Sequence, residues 1–165
     1  TPNINEQINP YILALLDILD VQEAYQVGGA QAVFEMSVEY SRERQQFGQR
    51  IGRFQHVQNH IIQLVNYVDA ARWTTYESLW RLDSAKSGAE VSVHHAKAVT
   101  SEGFVQAVNY AHEVHAGVGV MHEYGLTLYT RLSRALYHQL GSPKYHRRCL
   151  GELLVDHDLG PDPLE

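Results

Sequence analysis

The spacing of apolar residues constrains the fold of this chain more than any other feature of its sequence. Near the N-terminus, apolar residues recur at i, i+3, i+4 and i+7, the spacing of one helix face, at Ile12, Leu15, Leu16 and Leu19. This periodicity predicts long helices over about 11–47, 54–81 and 89–115, and shorter ones over about 122–137 and 143–155. No stretch alternates apolar and polar residues convincingly, so strands are not predicted. The predicted class is all-α, an antiparallel four-helix-type bundle with additional short helices.

Glycine and proline separate the predicted helices from one another. A turn at 48–53 and a glycine loop at 116–120 are the clearest breaks. We expect residues 1–10 to be a lead-in, 11–155 to form one helical domain and 156–165 to be a frayed tail.

Gly28 and Gly29 lie inside the first predicted helix. Two glycines in a helix interior cost roughly 2 kcal/mol relative to alanine. Such glycines are expected where another backbone or a ligand approaches the helix closely.

The composition excludes several classes of protein. A length of 165 residues suits one domain with a substantial core, and 44% hydrophobic residues with only 5 prolines argue against a disordered chain. The formal net charge is −6, from 13 basic and 19 acidic residues, which argues against nucleic-acid binding as the main activity because phosphate contacts need a basic face. No apolar run approaches the roughly 20 residues that a membrane span needs.

The single cysteine, Cys149, cannot form an intrachain disulfide, which favours a reducing, cytoplasmic setting. No signal peptide is visible. The chain begins at Thr1 without a methionine, which leaves two alternatives, a fragment of a longer protein or a stand-alone domain.

The end of the first predicted helix carries a candidate site for an anionic, ring-containing ligand. Arg44 offers a guanidinium fork for phosphate, Gln46 an amide and Phe47 an aromatic face. The alternative is purely structural, because an arginine in a last turn complements the helix dipole and Gly48 is an ordinary helix stop.

Two further patterns have functional and structural alternatives. His56 and His60 are four residues apart on one helix face, as zinc ligands can be, but the chain contains neither Glu-x-x-His nor His-Glu-x-x-His. No metal site is therefore predicted. The glycine loop at 116–120 could hold phosphate on its backbone N–H groups, or it could be a plain helix–helix turn. It follows a helix and not a strand, so it is not a dinucleotide fingerprint.

The residues around Arg44 also resemble a known family. Arg-x-Gln-Phe-Gly, followed by Ile51, Phe54-Gln55 and Gln58, is similar to the signature that opens the C-terminal helical domain of acyl-CoA dehydrogenases. The resemblance extends nearly without gaps from Gly28 to about Leu153. It implies an FAD-dependent enzyme that dehydrogenates acyl-CoA thioesters between the α and β carbons. Such enzymes are usually tetramers in which the C-terminal domain of one subunit helps to hold the FAD of its neighbour.

The resemblance assigns roles to particular residues. It implies that the neighbour's FAD is contacted by Arg44, Gln46, Phe47, Phe54 and Gln55, and that a second FAD loop contains Gly117 and Gly119, with Ser142 in a later turn. Where the family commonly has a glutamine before that loop, this chain has Glu113. A carboxylate near a pyrophosphate is repulsive unless it is protonated or paired with a cation.

The usual catalytic glutamate is missing from both family positions. Leu140 stands at the glutamate of the family's Glu-Gly-Thr/Ser turn, and Ile18 at the alternative position on the first helix. Asp17 and Asp20 flank Ile18 and are weak substitutes, because successive residues point about 100° apart around a helix. This pattern is similar to base-lacking subunits of heteromeric, steroid-type acyl-CoA dehydrogenases, in which a partner chain supplies the carboxylate.

The resemblance therefore implies either a homo-oligomer or a hetero-oligomer with a second acyl-CoA dehydrogenase subunit. One alternative is a non-catalytic structural subunit. A more distant one is an unrelated metal-binding bundle.

Overall fold

The computed structural model describes the backbone of residues 10–156 and the side chains of 14–155. The predicted lead-in and tail lie outside the described residues, except for Pro10 and Asp156. The predicted all-α bundle is confirmed. The α-helices are α1 (Pro10–Glu43), α2 (Gln55–Asp83), α3 (Ala89–His115), α4 (Leu126–His138) and α5 (Pro143–Asp156).

The structure corrects the predicted end of the first helix. α1 ends at Glu43 and not near Phe47, and the chain continues into two short antiparallel strands, β1 (Gln45–Gln46) and β2 (Gln49–Arg50). The prediction of no strands was therefore wrong for this hairpin. A 3₁₀ turn (Ile51–Arg53) then leads into α2.

The fourth predicted helix also begins later than expected. Two 3₁₀ turns, Ala116–Val120 and His122–Tyr124, precede α4, which begins at Leu126 and not at His122. Gly125 separates the second turn from α4 with a left-handed φ of 82°, a conformation that a helix cannot include.

Contacts between side chains fix the directions of the long helices. The Ser78 hydroxyl in α2 donates to Asp20 in α1 at 2.9 Å, and Arg72 donates to Gln31, so α1 and α2 run antiparallel. α2 and α3 also run antiparallel, and α1 and α3 are therefore parallel. Their C-terminal ends meet at one end of the bundle, which also contains the β1–β2 hairpin and which we call the hairpin end.

α3 is the central helix, since it packs against all the other α-helices. The close approach expected at the paired glycines occurs at only one of them among the described residues. A Cβ on Gly29 would lie 2.7 Å from Cζ of the buried Phe104, whereas a Cβ on Gly28 would have no neighbour within 4 Å. The main apolar core consists of Ala30, Val33, Leu64, Val68, Phe104, Ala107, Val108, Ala111, Leu126 and Leu136.

Candidate functional site

The tip of the β1–β2 hairpin presents an aromatic ring to solvent. Phe47 and Gly48 both have positive φ, 53° and 79°, as the two central residues of a type I′ turn require. A phenylalanine in this conformation is strained, and its side chain is nevertheless 92% exposed. The only described ring packed near it is Phe54, edge-on with centroids 6.1 Å apart. A strained and uncovered ring is consistent with a face that a ligand or another subunit covers.

Three arginines lie in or beside this hairpin. Arg44, Arg50 and Arg53 are all exposed, and none of them makes an ion pair with another side chain of the described region. The Ile51 N–H donates to the Arg44 carbonyl at 2.8 Å, which closes the hairpin and fixes the backbone from which Arg44 projects. Gln46 and Gln55 are exposed beside them. The hairpin can therefore offer guanidinium and amide donors to an anion.

The glycine loop packs tightly on one side and is open on the other. A Cβ on the buried Gly119 would lie 3.0 Å from Nδ1 of His112 and 3.0 Å from Cβ of His115, so the close packing requires a glycine. A Cβ on Gly117 would meet nothing within 4 Å, and this residue is exposed. Glu113 is also exposed, less than one helical turn before the loop. The open face around Gly117 is where a ligand could approach the backbone.

The hairpin and the glycine loop lie at the same end of the bundle. Tyr40, in the last turn of α1, stacks on His115, the last residue of α3, with centroids 4.6 Å apart. His115 is buried, and its Nδ1 donates to the carbonyl of Ala111 at 2.8 Å. Burial lowers the pKa of its imidazole. The buried ring thus connects the two predicted cofactor-binding segments.

Ser142 does not join this group. α4 runs away from the glycine loop along α3, and its 13 residues span roughly 20 Å. Ser142 follows α4 and lies at the other end of the bundle. Its hydroxyl accepts from the Tyr145 N–H at 3.3 Å, which is a local contact at the start of α5.

The two positions of the missing base lie on α1 and directly after α4, which are helices in contact, away from the hairpin. The Gln22 amide, one turn after Ile18, donates at 3.2 Å to the carbonyl of Leu136, which lies four residues before Leu140. Leu140 and Ile18 are 43% and 51% exposed, so both present apolar side chains at the surface of this domain.

The two weak substitutes for the base have different environments. Asp17 is exposed, like Ile18. Asp20 is 2% exposed and accepts the Ser78 hydroxyl at 2.9 Å, so its carboxyl faces the interior of the bundle and not the surface around Ile18. Of the two, only Asp17 is placed to meet a substrate at this surface.

A buried polar cluster, which the sequence patterns did not indicate, lies between α1, α2 and α3. Glu23 and Lys97 are fully buried, and Nζ of Lys97 donates to the Ser101 hydroxyl at 2.9 Å. Burial raises the pKa of Glu23 to about 9 and, with the same cause, that of Asp20 to about 6. Burial lowers the pKa of Lys97 to about 8. The raised pKa favours a protonated Glu23 at neutral pH, whose carboxyl can donate to Asp20.

The histidines do not gather into a metal centre. Within the described residues, no group of three or more histidine, cysteine, aspartate or glutamate side chains could hold a metal ion. His56 and His60 approach each other, with their Nε2 atoms 3.1 Å apart, but they form only a pair. Over the same residues, no helix is long and apolar enough to cross a membrane.

Comparisons with known proteins identify the domain. The model of the acyl-CoA dehydrogenase C-terminal domain matches residues 22–154, which include both the hairpin and the Leu140 turn. The chain belongs to the acyl-CoA dehydrogenase family. This membership excludes an unrelated metal-binding bundle.

Several relatives agree with this assignment. The chain is 31% identical over 132 residues to a probable acyl-CoA dehydrogenase, YngJ, of Bacillus subtilis, covering 80% of this chain and 34% of that protein. It is 25% identical over 132 residues to the caffeyl-CoA reductase–Etf complex subunit CarC of Acetobacterium woodii, covering 78% of this chain and 34% of that one. Among solved structures, PigA with FAD and proline superposes with a TM-score of 0.82 at 27% identity, covering 86% of this chain and 37% of that one. The chain spans about a third of the length of these relatives.

Proposed function

We propose that this chain is the C-terminal domain of an FAD-dependent acyl-CoA dehydrogenase and that it contributes to the FAD site of a neighbouring subunit. The observation that carries the proposal is the hairpin tip, where the strained Phe47 ring is 92% exposed and the neighbouring arginines have no ion-pair partner among the described residues. When bound, FAD supplies the acceptor for the hydride that leaves the β carbon of an acyl-CoA thioester. The family match and the FAD-bound relative PigA support this cofactor.

The exposed groups at the hairpin end fit the parts of a flavin dinucleotide. The Arg44 guanidinium can bind the pyrophosphate in a bidentate way. Phe47 and Phe54 can pack against a ring system, and Gln46 and Gln55 can hydrogen-bond to its polar edges. The open backbone at Gly117 can approach a phosphate without obstruction from a side chain.

Glu113 is an acidic group at this end that opposes the proposed ligand. Its exposed side chain places a carboxylate near the glycine loop. Because the basic hairpin lies at the same end of the bundle, the local field is mixed and not purely repulsive. We infer that FAD binds here more weakly than it would with the family's glutamine.

We further propose that the catalytic base comes from outside the described part of this domain. Leucine and isoleucine at positions 140 and 18 cannot accept a proton, Asp20 faces the interior, and Asp17 points about 100° around the helix from Ile18. A second acyl-CoA dehydrogenase subunit in a hetero-oligomer would supply the carboxylate. The relative CarC is itself described as a subunit of a complex, which supports a multi-chain enzyme. The single cysteine suits a reducing compartment such as the cytoplasm.

A non-catalytic structural subunit is the second candidate function. It is favoured by the same apolar base positions and by an exposed aromatic stripe on α2. Trp73, Tyr76 and Trp80 are each more than half exposed and follow one helix face, so they offer a surface on which another chain could dock.

A visible absorption spectrum separates these functions. The full-length protein is purified alone and after co-expression with an acyl-CoA dehydrogenase subunit encoded beside it, and flavin content and acyl-CoA dehydrogenation are measured. Flavin and activity only in the co-expressed sample support a heteromeric enzyme. Flavin and activity in the protein alone would place the base in this protein. If the co-expressed complex lacks flavin at the FAD sites to which this chain contributes, the result favours the structural subunit.

A further inference from the structure

The turn that follows α4 holds an unusual backbone conformation. Leu140 has a φ of 60° and Gly141 a φ of 108°. A leucine in the left-handed region is strained, and such residues persist only where the surrounding structure fixes them. The strain is not needed to end the helix, because Gln139 has already left it with an extended φ of −66° and ψ of 132°.

A buried histidine holds the carbonyl at the centre of this turn. His146 is 1% exposed, and its Nε2 lies 3.0 Å from the Leu140 carbonyl oxygen. Since a carbonyl can only accept, His146 carries its proton on Nε2. Its Nδ1 then accepts from Nδ1 of His94, 2.8 Å away. Burial lowers the pKa of both imidazoles, in keeping with two neutral rings in series.

The residues on either side of Leu140 make this contact possible. A Cβ at position 141 would lie 2.6 Å from Nε2 of His146, so His146 reaches the carbonyl only because residue 141 is glycine. One turn earlier, the Leu136 carbonyl accepts from Gln22 at 3.2 Å and from Lys97 at 3.4 Å. Buried side chains of α1, α3 and α5 therefore hold the last turn of α4 and the turn that follows it.

We propose that His146, supported by His94, is a positioning residue that holds the Leu140–Gly141 turn so that the Leu140 side chain forms an apolar wall of the acyl-CoA site. This inference rests on the proposed function, because it takes the surface around Leu140 and Ile18 to face the substrate. The strained Leu140 keeps its side chain 43% exposed, while a buried histidine holds its carbonyl. A turn that only connected two helices would not need this combination. The turn therefore holds residue 140 in a fixed conformation, even though a leucine side chain cannot act as a base.

The positioning role is tested first by hydrogen exchange in the full-length protein. The reporters are the Gly141 N–H, which donates to the His138 carbonyl at 3.3 Å, and the neighbouring amides of the turn. His146→Leu is expected to raise exchange in a peptide covering 139–146 at least tenfold, whereas His146→Gln, whose amide can still donate, should stay within about threefold of wild type. His95→Ala, an exposed histidine on α3, is the control. Urea unfolding of each variant separates local opening from global destabilisation.

The substrate role is tested in the co-expressed enzyme. His146→Leu and Leu140→Ala should both change KM for acyl-CoA thioesters at least threefold, with a smaller change in kcat and unchanged flavin content, and His146→Gln should restore KM. Unchanged exchange in His146→Leu overturns the positioning role. Increased exchange with an unchanged KM overturns the apolar wall. If His146→Leu raises exchange as expected but the full-length protein never binds flavin, the result counts against the proposed function. The positioning role of His146 would still stand.

Discussion

The imidazole of His115 stacks on the phenol ring of Tyr40, with centroids 4.6 Å apart and ring planes 25° apart. Tyr124 adds a third ring, 5.1 Å from His115. This stack joins the end of α1, the end of α3 and the segment that leads into α4. The hairpin and the glycine loop project from these ends, so a buried aromatic contact sets their relative position.

Replacing His115 with alanine should therefore loosen both segments together. The change removes the stack and the bond to the Ala111 carbonyl, and it should lower the free energy of unfolding by about 1–3 kcal/mol. The full-length protein should also retain less flavin at a fixed protein concentration. His122→Ala, at an exposed histidine of the same end, is the control and should change neither quantity. Equal flavin retention in His115→Ala and wild type would contradict this linkage.

The paired glycines of α1 should respond to alanine in opposite directions. Gly28→Ala adds a methyl group to open space and should stabilise the helix by up to about 1 kcal/mol. Gly29→Ala places Cβ 2.7 Å from the buried Phe104 ring and should destabilise the protein by about 1–3 kcal/mol. Urea unfolding of the two variants measures both effects, and each variant is the other's control. A destabilising Gly28→Ala would show that a second surface covers this side of α1.

The buried carboxyls should make stability decline with pH. Glu23 keeps its proton up to pH about 9 in the folded state but loses it near 4.5 when unfolded, so the free energy of unfolding falls as pH rises between these values. Asp20 acts in the same direction from 3.8 to about 6. Lys97 acts oppositely, because above pH 8 the unfolded chain holds a proton that the folded chain has released. The decline should therefore be steepest between about pH 4.5 and 6, where both carboxyls contribute, and should continue less steeply to about pH 8.

Glu23→Gln should flatten this decline and raise stability at pH 8 by about 1–3 kcal/mol, since an amide keeps the donor to Asp20 and has no charge to bury. Urea unfolding at several pH values tests the prediction. Glu77→Gln, on an exposed position of α2, should leave the pH slope unchanged. A wild-type protein whose stability rises from pH 5 to pH 8 would show that the Glu23 carboxyl is not held protonated.

The helices could be predicted because their apolar periodicity is long, whereas the hairpin could not. Gln45, Gln46, Gln49 and Arg50 are all polar, so β1 and β2 show no alternation. Asn-Gly or Asp-Gly would have indicated a type I′ turn, but phenylalanine before Gly48 gives no such signal. The hairpin depends on backbone geometry at Phe47 that no local preference predicts.

The buried polar cluster cannot be predicted from the apolar periodicity of α1 alone. The helix stripe that starts at Leu16 and Leu19 continues at the same spacing through Glu23, Gln26 and Ala30. All of these residues are buried. A stripe that passes through glutamate and glutamine without changing register is a sequence signal for buried polar groups. Their partners on α2 and α3 still require the packed structure.

Charges at the hairpin end should control flavin binding with opposite signs. Arg44→Ala removes a charge-assisted contact and should weaken flavin binding in the full-length assembly about tenfold or more. Glu113→Gln removes a repulsive charge and should strengthen binding by about 1 kcal/mol, or roughly fivefold. Flavin affinity is measured by fluorescence titration of the apoprotein at two salt concentrations.

The control for the Arg44 and Glu113 variants is Arg148→Ala, at an exposed position of α5 that lies outside both the hairpin and the glycine loop. It should leave flavin affinity unchanged. Wild-type flavin affinity in Arg44→Ala would show that Arg44 is not part of the site. Weaker flavin binding in Glu113→Gln would show that Glu113 pairs with a cation instead of opposing the pyrophosphate.

Leu140→Glu should install a base at the position that the turn geometry already holds. A positioned carboxylate acting as general base contributes about 10²–10⁴-fold, so the full-length variant, supplied with FAD and without a partner, should dehydrogenate acyl-CoA at least about a hundredfold faster than wild type under the same conditions. Leu140→Gln is the matched control, because it has a similar shape but cannot accept the proton. Reduction of an artificial electron acceptor measures the rate. Equal rates for the two variants would show that residue 140 does not face the α carbon. Full activity of the unpartnered wild type would direct the search to Asp17, the exposed carboxylate beside Ile18.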